Sequence, residues 1–394
     1  MPTSTDAVVI GGGVHGASIA YHLAKKGMRV ILIEKRFLAA GGTGKSTAVV
    51  RMHYDNRVES QLAFESFKYF GHWADLVGGD AGFVKTGFVR IVIPSEAEAL
   101  KANIGMLQEV GINTRLVTRE EFHDIEPSWN LSNMQIGAYE PDSGYADPQA
   151  TTLSFAEQAR ELGARILQET AVLQIHASDS RVTGVQTDRA GEIAAPVVVV
   201  AAGPWSPRLV KPLGIDLPIA CERHQVASFI RPNEIAAAHV TCIDGANEMY
   251  FRPEGKTLTL VGCGVGGKNA DPDNYKEGID DEHIAYSGER LARRIPKIAD
   301  ALSQGGWSGF YDMTPDEKCL LGALPVEGLY VNAGHSGTGF KIAPAVGLCL
   351  SELIHDGAAE TVDISPFRWS RFKEGRPLHG DHPYSTSWHT GLTQ

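Results

Sequence analysis

Apolar residues near the start of the chain come in short unbroken runs, set apart by glycine-rich and amphipathic stretches. Ala7–Ile10 (AVVI) contains no polar position, the pattern of a strand buried on both faces. It leads into Gly11-Gly12-Gly13-Val14-His15-Gly16; a helical pattern follows over residues 17–26, with Gly27 as its C-terminal cap. Residues 29–33 (RVILI) read as a second buried strand ending at Glu34. The same unbroken pattern returns at residues 197–202 and 329–332, each entering a glycine-containing loop, and an apolar helix begins near Pro344. Between these segments the pattern changes. Strand-like alternation appears at residues 87–93, 225–230, 248–252 and 257–261, and helices are predicted at Ala97–Val110 and residues 281–295.

The distribution predicts an α/β chain, α+β overall, with two domains, because 394 residues exceed the roughly 250–300 that one core supports. A Rossmann-like domain draws on residues 1–83, 149–215 and 313–372. A discontinuous antiparallel-sheet domain for substrate draws on 84–148 and 216–312, and 373–394 form a polar tail. The acidic stretch 270–283 is expected as a solvated loop and helix start.

The first loop carries the first candidate chemistry. Gly11-x-Gly13-x-x-Gly16 sits between a strand and a helix: Gly11 permits the turn, Gly13 lets backbone approach a pyrophosphate, and Gly16 lets helix and strand pack closely. The helix N-terminus, at Val14 and His15, then faces the phosphates. Glu34, 23 positions after Gly11, is placed to accept hydrogen bonds from an adenosine ribose, and it disfavours NADP.

Residues 41–47 (GGTGKST) invite comparison with the P-loop of nucleotide hydrolases, but that motif requires glycine where Ala39 stands. No strand feeds the loop directly either, since KRFLAA intervenes. The segment reads as a second glycine-rich loop on the same dinucleotide, with Ser46 and Thr47 as N-cap candidates for a following helix.

Composition narrows the partners. With 43% hydrophobic and 21% charged residues the chain is globular, and a net charge of −11 argues against nucleic acid. Cys221, Cys242, Cys263, Cys319 and Cys349 form no C-x-x-C pair, which fits a reducing compartment rather than a disulfide framework or zinc site. No apolar run reaches the ~18 residues of a membrane span, and no basic region precedes the first one, so a cytoplasmic protein without a signal peptide is expected. His379, His382 and His389 fit a surface tail or oligomer arm better than a metal site; no metal is expected. Two cations stand out inside apolar surroundings, Arg51 in TAVVRMHY and Lys341 in GTGFKIAP, where burial demands pairing or function.

Taken together, VVIGGGVHGASIAYHLAKKGMRVILIEK followed by GGTGKSTA, VVVVAAGPWSP (197–207), YDMTPDEKCLLG (311–322) and LYVNAGHSGTGFKIAPAVG (329–347) resemble a known family. It is the FAD-dependent amine and amino-acid oxidoreductases of the D-amino-acid oxidase, glycine oxidase and sarcosine oxidase group. The resemblance implies FAD held by Gly11, Gly13, Val14, His15, Gly16, Glu34, Lys35, Thr43, Gly44, Lys45, Ser46 and Thr47. Val172, Ala202, Gly203, Trp205, Gly334, His335, Gly337, Thr338, Gly339, Phe340 and Lys341 complete that set. It also implies that Arg51 and Lys341 grip a substrate carboxylate, that Tyr250 and Tyr311 wall the amine side, and that His53 and Tyr54 come within reach.

Three positions depart from the sarcosine oxidase pattern. Thr259 stands where an oxygen-activating lysine is expected, and Cys263 where a histidine is expected. Gly309 falls near the cysteine that tethers flavin, which implies non-covalent FAD, Cys319 being the nearest thiol. The implied reaction is oxidation of the C–N bond of a small secondary amino acid such as sarcosine, by hydride transfer to FAD. It yields an imine that hydrolyses, with oxygen as acceptor and hydrogen peroxide as product. The alternative is a dehydrogenase, or a β-like subunit passing electrons to a partner. A monomer or homo-oligomer is expected, with a heteromeric partner subunit as the other possibility.

Overall fold

Alternate residues of each unbroken apolar run enter two different cores. Val9, Leu32 and Val199 join a cluster built with helices Val14–Lys25, Arg57–Gly71, Pro148–Glu161 and Ala343–His355. Val8, Ile31, Val198 and Val200 join another, shared with Ile175, Val185 and Ile193 of a separate four-stranded sheet. A strand covered on both faces has no room for a polar position, which is why the pattern is continuous. Arg165–Leu167, Val30–Ile33, Ala7–Ile10, Val197–Val200 and Leu329–Ala333 lie side by side and parallel, with Leu320–Ala323 antiparallel at the edge. Helix Val14–Lys25 packs against Pro148–Glu161 and Ala343–His355. Its Ile19 and Leu23 are fully buried, each contributing about 2–3 kcal/mol relative to exposure. Gly27 ends that helix with φ +83°.

This computed structural model describes residues 3–384, apart from positions 234, 236, 237 and 265. The alternating segments build an eight-stranded sheet. Its order is Ser303–Met313, Ala220–Ile230, Leu258–Cys263, Met249–Glu254, Thr241–Asp244, Phe88–Ile91, Ile136–Glu140 and Arg115–Thr118. All neighbours are antiparallel except Thr241–Asp244 with Phe88–Ile91. The pairing register aligns Arg90, Ile243, Tyr250, Gly262 and Val226 in one row across five strands. Val89, Cys242, Phe251, Val261 and Ala227, each one position along from that row, form the core on the opposite face. Gly262 is required by the row, because a Cβ there would lie 2.1 Å from the Tyr250 ring.

Several expectations are corrected. Ser303–Met313, for which no element was expected, is a long strand; it pairs with residues 220–229, and a Cβ at Gly306 would meet the Val226 carbonyl at 2.1 Å. Ser46 and Thr47 cap no helix. The Ser46 hydroxyl accepts from the Ala48 N–H, the chain continues into strand Val49–Val50, and the next helix is capped by the Asn56 side chain. The tail is not a free surface arm up to Tyr384. Asp316 accepts the Leu378 N–H at 2.9 Å, the Asp55 carbonyl accepts the Asp381 N–H at 2.7 Å, and the Asn56 and Asn103 amides donate to the carbonyls of His379 and His382. His389 lies outside the described residues.

Candidate active site

In the parallel sheet the loops after Ala7–Ile10, Val30–Ile33, Val197–Val200 and Leu329–Ala333 leave from the same edge, so they converge. The first has the required shape: Gly11 takes φ +110°, and a Cβ there would lie 2.4 Å from the Ala201 carbonyl oxygen. A Cβ at Gly13 would lie 2.9 Å from Thr43 Oγ1, which already accepts the Val14 N–H at 3.1 Å. The second glycine loop thus docks on the helix N-terminus that the first one opens. Glu34 holds this turn from the next strand, accepting the N–H groups of Gly12 at 2.7 Å and Arg36 at 2.8 Å. These loops open onto a cavity of about 890 Å³ that extends to Arg51 and Lys341. A cavity this long, with a side-chain-free cradle at a helix N-terminus, fits FAD.

Of the expected cofactor residues, Gly11, Gly13, Val14, His15, Glu34, Lys35, Thr43, Lys45, Ser46, Thr47, Val172, Ala202, Gly203 and Trp205 line the cavity. So do His335, Gly337, Thr338, Gly339, Phe340 and Lys341. Gly16, Gly44 and Gly334 do not; they shape the loops from behind. A Cβ at Gly16 would sit 1.8 Å from the Gly11 carbonyl, one at Gly44 would sit 2.4 Å from that of Ala39, and one at Gly334 would sit 2.5 Å from Thr314 Cγ2. His15 and His335 stack at 3.8 Å, and burial pushes the His15 imidazole down to about 3, so that ring is neutral.

The two lysines are paired with acids that also line the cavity. Lys35 Nζ lies 2.8 Å from Asp273 and 3.8 Å from the Trp205 ring centroid, and Lys45 Nζ lies 2.8 Å from Glu277. Asp273 also accepts from Trp205 Nε1 at 2.9 Å and pairs with Arg208. The acidic stretch is the exposed loop and helix start that was expected, with helix Asp281–Arg294 following it, and its carboxylates also make it a clasp. It crosses from the eight-stranded sheet to the dinucleotide loops because their cations draw it there.

At the other group of lining residues, Arg51 follows the short strand Val49–Val50, and Lys341 lies in the turn Phe340–Ile342 that starts the last long helix. Arg51 is 9% exposed and Lys341 7%. Neither has a carboxylate oxygen within 4.0 Å among the described residues. Burial holds the Arg51 guanidinium below its ordinary value, with Arg90 adding to the effect. Burial pushes the Lys341 ammonium well down, and the charge of Arg51 pushes it further. Two desolvated like charges facing one cavity are costly without an anion between them.

Tyr250 and Tyr311 hydrogen-bond to each other, and Tyr250 also bonds to Thr47; burial raises both phenols. The Tyr311 ring stacks on His224 at 3.7 Å. His53 Nε2 bonds the Tyr384 hydroxyl at 2.7 Å. Burial, then the charges of Arg90 and Arg51, hold His53 far below its ordinary value, so it is neutral.

Thr259 and Cys263 do not line the cavity. They share the opposite face of their strand with Val261, where Thr259 bonds His239 at 2.9 Å and Cys263 bonds Ser287 at 3.0 Å. Their identities therefore carry no information about chemistry in the cavity. Gly309 does line it, whereas Cys319 is a buried thiol in the helical core. Sequence reasoning passed over Arg90, His224 and Tyr384, which all line the cavity. Arg90 had the same signal as Arg51, a charge inside an apolar run (FVRIVI).

Residues 6–353 match the family model described as DAO, FAD dependent oxidoreductase. Over 380 residues the chain is 27% identical to sarcosine oxidase subunit beta of Rhodobacter capsulatus, covering 94% of this chain and 89% of that protein. Peroxisomal sarcosine oxidase of Homo sapiens is 28% identical over 385 residues, with 93% and 96% covered. The crystal structure of L-proline dehydrogenase from P. horikoshii superposes with a TM-score of 0.89 at 28% identity, over 96% of this chain and 100% of that one. A match of this extent, on a fold whose convergent glycine loops open onto a cavity fit for FAD, assigns the chain to the DAO family of FAD dependent oxidoreductases.

Proposed function

We propose that this enzyme oxidises the C–N bond of a small secondary amino acid, such as sarcosine or a cyclic imino acid, with non-covalent FAD. The observation that carries the reading is the pair of buried cations, Arg51 and Lys341, facing one cavity with no carboxylate within 4.0 Å among the described residues, Glu59 and Glu140 acting on them only from further off. A substrate carboxylate bound between them supplies the missing anion through charge-assisted hydrogen bonds. FAD, when bound, supplies the acceptor for the hydride that leaves the carbon next to nitrogen. The protein's part is to grip and orient the substrate. Tyr250 and Tyr311 wall the amine, whose nitrogen must be neutral to release a hydride from the neighbouring carbon. The neutral His53 adds no further positive charge to a cavity that already holds Arg51, Lys341 and Arg90. Water hydrolyses the resulting imine.

Oxygen is the acceptor on the first reading. The likeness to an L-proline dehydrogenase favours a second, in which electrons pass to another acceptor or a partner subunit. The test is anaerobic: the yellow holoprotein is mixed with sarcosine and, separately, with L-proline, and the visible flavin band is followed. Bleaching is expected with at least one, and admitting air then separates the two acceptors by whether colour returns within turnover time. No bleaching with any small amino acid would overturn the proposal.

A further inference from the structure

Arg90 is a third buried cation of the cavity, near enough to Arg51 and His53 for its charge to act on both. It lies on Phe88–Ile91, is 8% exposed, lines the cavity, and has no carboxylate within 4.0 Å among the described residues. Its Nε is buried without a hydrogen-bond partner. One contact is defined: the ring of Tyr384 lies over the guanidinium, 3.9 Å from centroid to carbon, and the Tyr384 hydroxyl is fixed by His53. Such a stack occupies the face of the guanidinium and leaves its in-plane N–H groups free to take a carboxylate side-on. A structural arginine this deeply buried would normally be paired, as Arg294 is with Asp244 and Arg371 with Asp316.

The sheet fixes where this cation stands. Arg90 and Tyr250 lie in one cross-strand row with Ile243 between them, so their backbones are two strand spacings apart, about 10 Å. Arg90 therefore stands to one side of Tyr250, toward Arg51 and His53, within reach of a second acidic group on an amino acid held by Arg51 and Lys341.

We propose that Arg90 is a second anion subsite, and that the preferred substrate is an amino acid carrying a second carboxylate on its nitrogen substituent or side chain. This rests on the reading of Arg51 and Lys341 as the first carboxylate grip. One carboxylate takes that grip and the other takes the N–H edge of Arg90, with Tyr384 and His53 holding the guanidinium in plane.

The test is calorimetric, on the holoprotein, with glutarate against butyrate, which is glutarate with one carboxylate replaced by hydrogen and so has one charge. Glutarate is expected to bind about tenfold or more tightly than butyrate. Arg90→Gln should abolish that preference, and Arg90→Lys, which keeps the charge, should retain part of it. The bound-flavin spectrum and melting temperature of each variant report that it has folded. Equal binding of the two acids by the unmodified protein, or equal losses for both in Arg90→Gln, would overturn the subsite. Anaerobic reduction by sarcosine and by N-(carboxymethyl)glycine separates the two proposals. Reduction by sarcosine with no gain for the dicarboxylate overturns only the subsite. Failure of both to reduce the flavin counts against amine oxidation, and the binding comparison still decides on Arg90.

Discussion

Arg51 and Lys341 approach the same aromatic ring: the guanidinium carbon lies 4.6 Å, and the ammonium nitrogen 5.3 Å, from the centroid of Tyr54. The Tyr54 hydroxyl donates to the Thr338 carbonyl at 3.0 Å, so the ring is anchored to the glycine-containing loop that follows Leu329–Ala333. The electron-rich face partly offsets the repulsion between the two cations while leaving both for an anion.

Removing either cation should therefore cost substrate and spare cofactor. Arg51→Gln or Lys341→Met is expected to lower kcat/KM by roughly 10- to 100-fold, the worth of one charge-assisted bond of about 1.5–3 kcal/mol. The flavin-to-protein ratio should stay near that of the parent. Anaerobic reduction rates and absorbance ratios measure the two effects separately.

Carboxylate affinity should depend on pH through Lys341. Burial and Arg51 depress the folded-state value of this ammonium, so it loses its proton at lower pH than a free lysine. An anion favours the protonated form, so binding takes up a proton wherever pH exceeds the depressed value. The affinity for butyrate is expected to fall as pH rises through that window, and Lys341→Met should flatten the dependence. Calorimetry in buffers of different ionisation enthalpy would expose the proton uptake.

Gly11→Ala should abolish FAD binding. The substitution faces both the +110° φ and the 2.4 Å approach to the Ala201 carbonyl, and neither can relax without moving the strand edge. Protein purified in this form is expected to be colourless, and one that keeps a full complement of flavin would contradict the role assigned to the loop.

The acidic clasp predicts salt-sensitive cofactor retention. Its pairs, Asp273 with Lys35 and Arg208 and Glu277 with Lys45, are partly exposed, so each is worth about 0–1 kcal/mol and weakens with ionic strength. Asp273→Asn should speed FAD dissociation a few-fold at low salt and make it less responsive to added salt. Flavin fluorescence after dilution follows this directly.

Stability should hinge on a different pair. Arg294 and Asp244 are both fully buried, joined at 2.7 and 3.0 Å, and Arg294 also donates to the Asn130 carbonyl at 2.6 Å. Asp244→Asn is expected to cost about 3–5 kcal/mol by leaving a buried guanidinium uncompensated, visible as a lower melting temperature.

The sequence was most readable where local chemistry and global packing coincide. Val8 and Val9 face different cores, so both had to be apolar, and the run announces its own burial on two sides. Arg51 and Lys341 were visible for the converse reason, as charges where the pattern forbids them. Tyr384 gave no such signal. It sits in a polar, aperiodic stretch, and its place over Arg90 depends on Asp55, Asn56, Asn103 and Asp316, which lie far away along the chain. Thr259 shows the other limit: one step of register decides whether a residue faces the cavity or the core, and periodicity alone does not fix that step.

The order of the parallel sheet also bears on how the enzyme acquires its cofactor in the cell. Ala7–Ile10, which carries the glycine turn, has as its inner neighbour Val197–Val200, and that strand in turn needs Leu329–Ala333. A ribosome delivers these three strands at widely separated times, so the early pair Ala7–Ile10 and Val30–Ile33 waits through most of translation for the strands that complete the sheet. The flavin cradle is therefore a late product of biosynthesis. Cofactor capture and final collapse of the sheet should occur together, which makes flavin supply a determinant of how much newly made protein escapes aggregation.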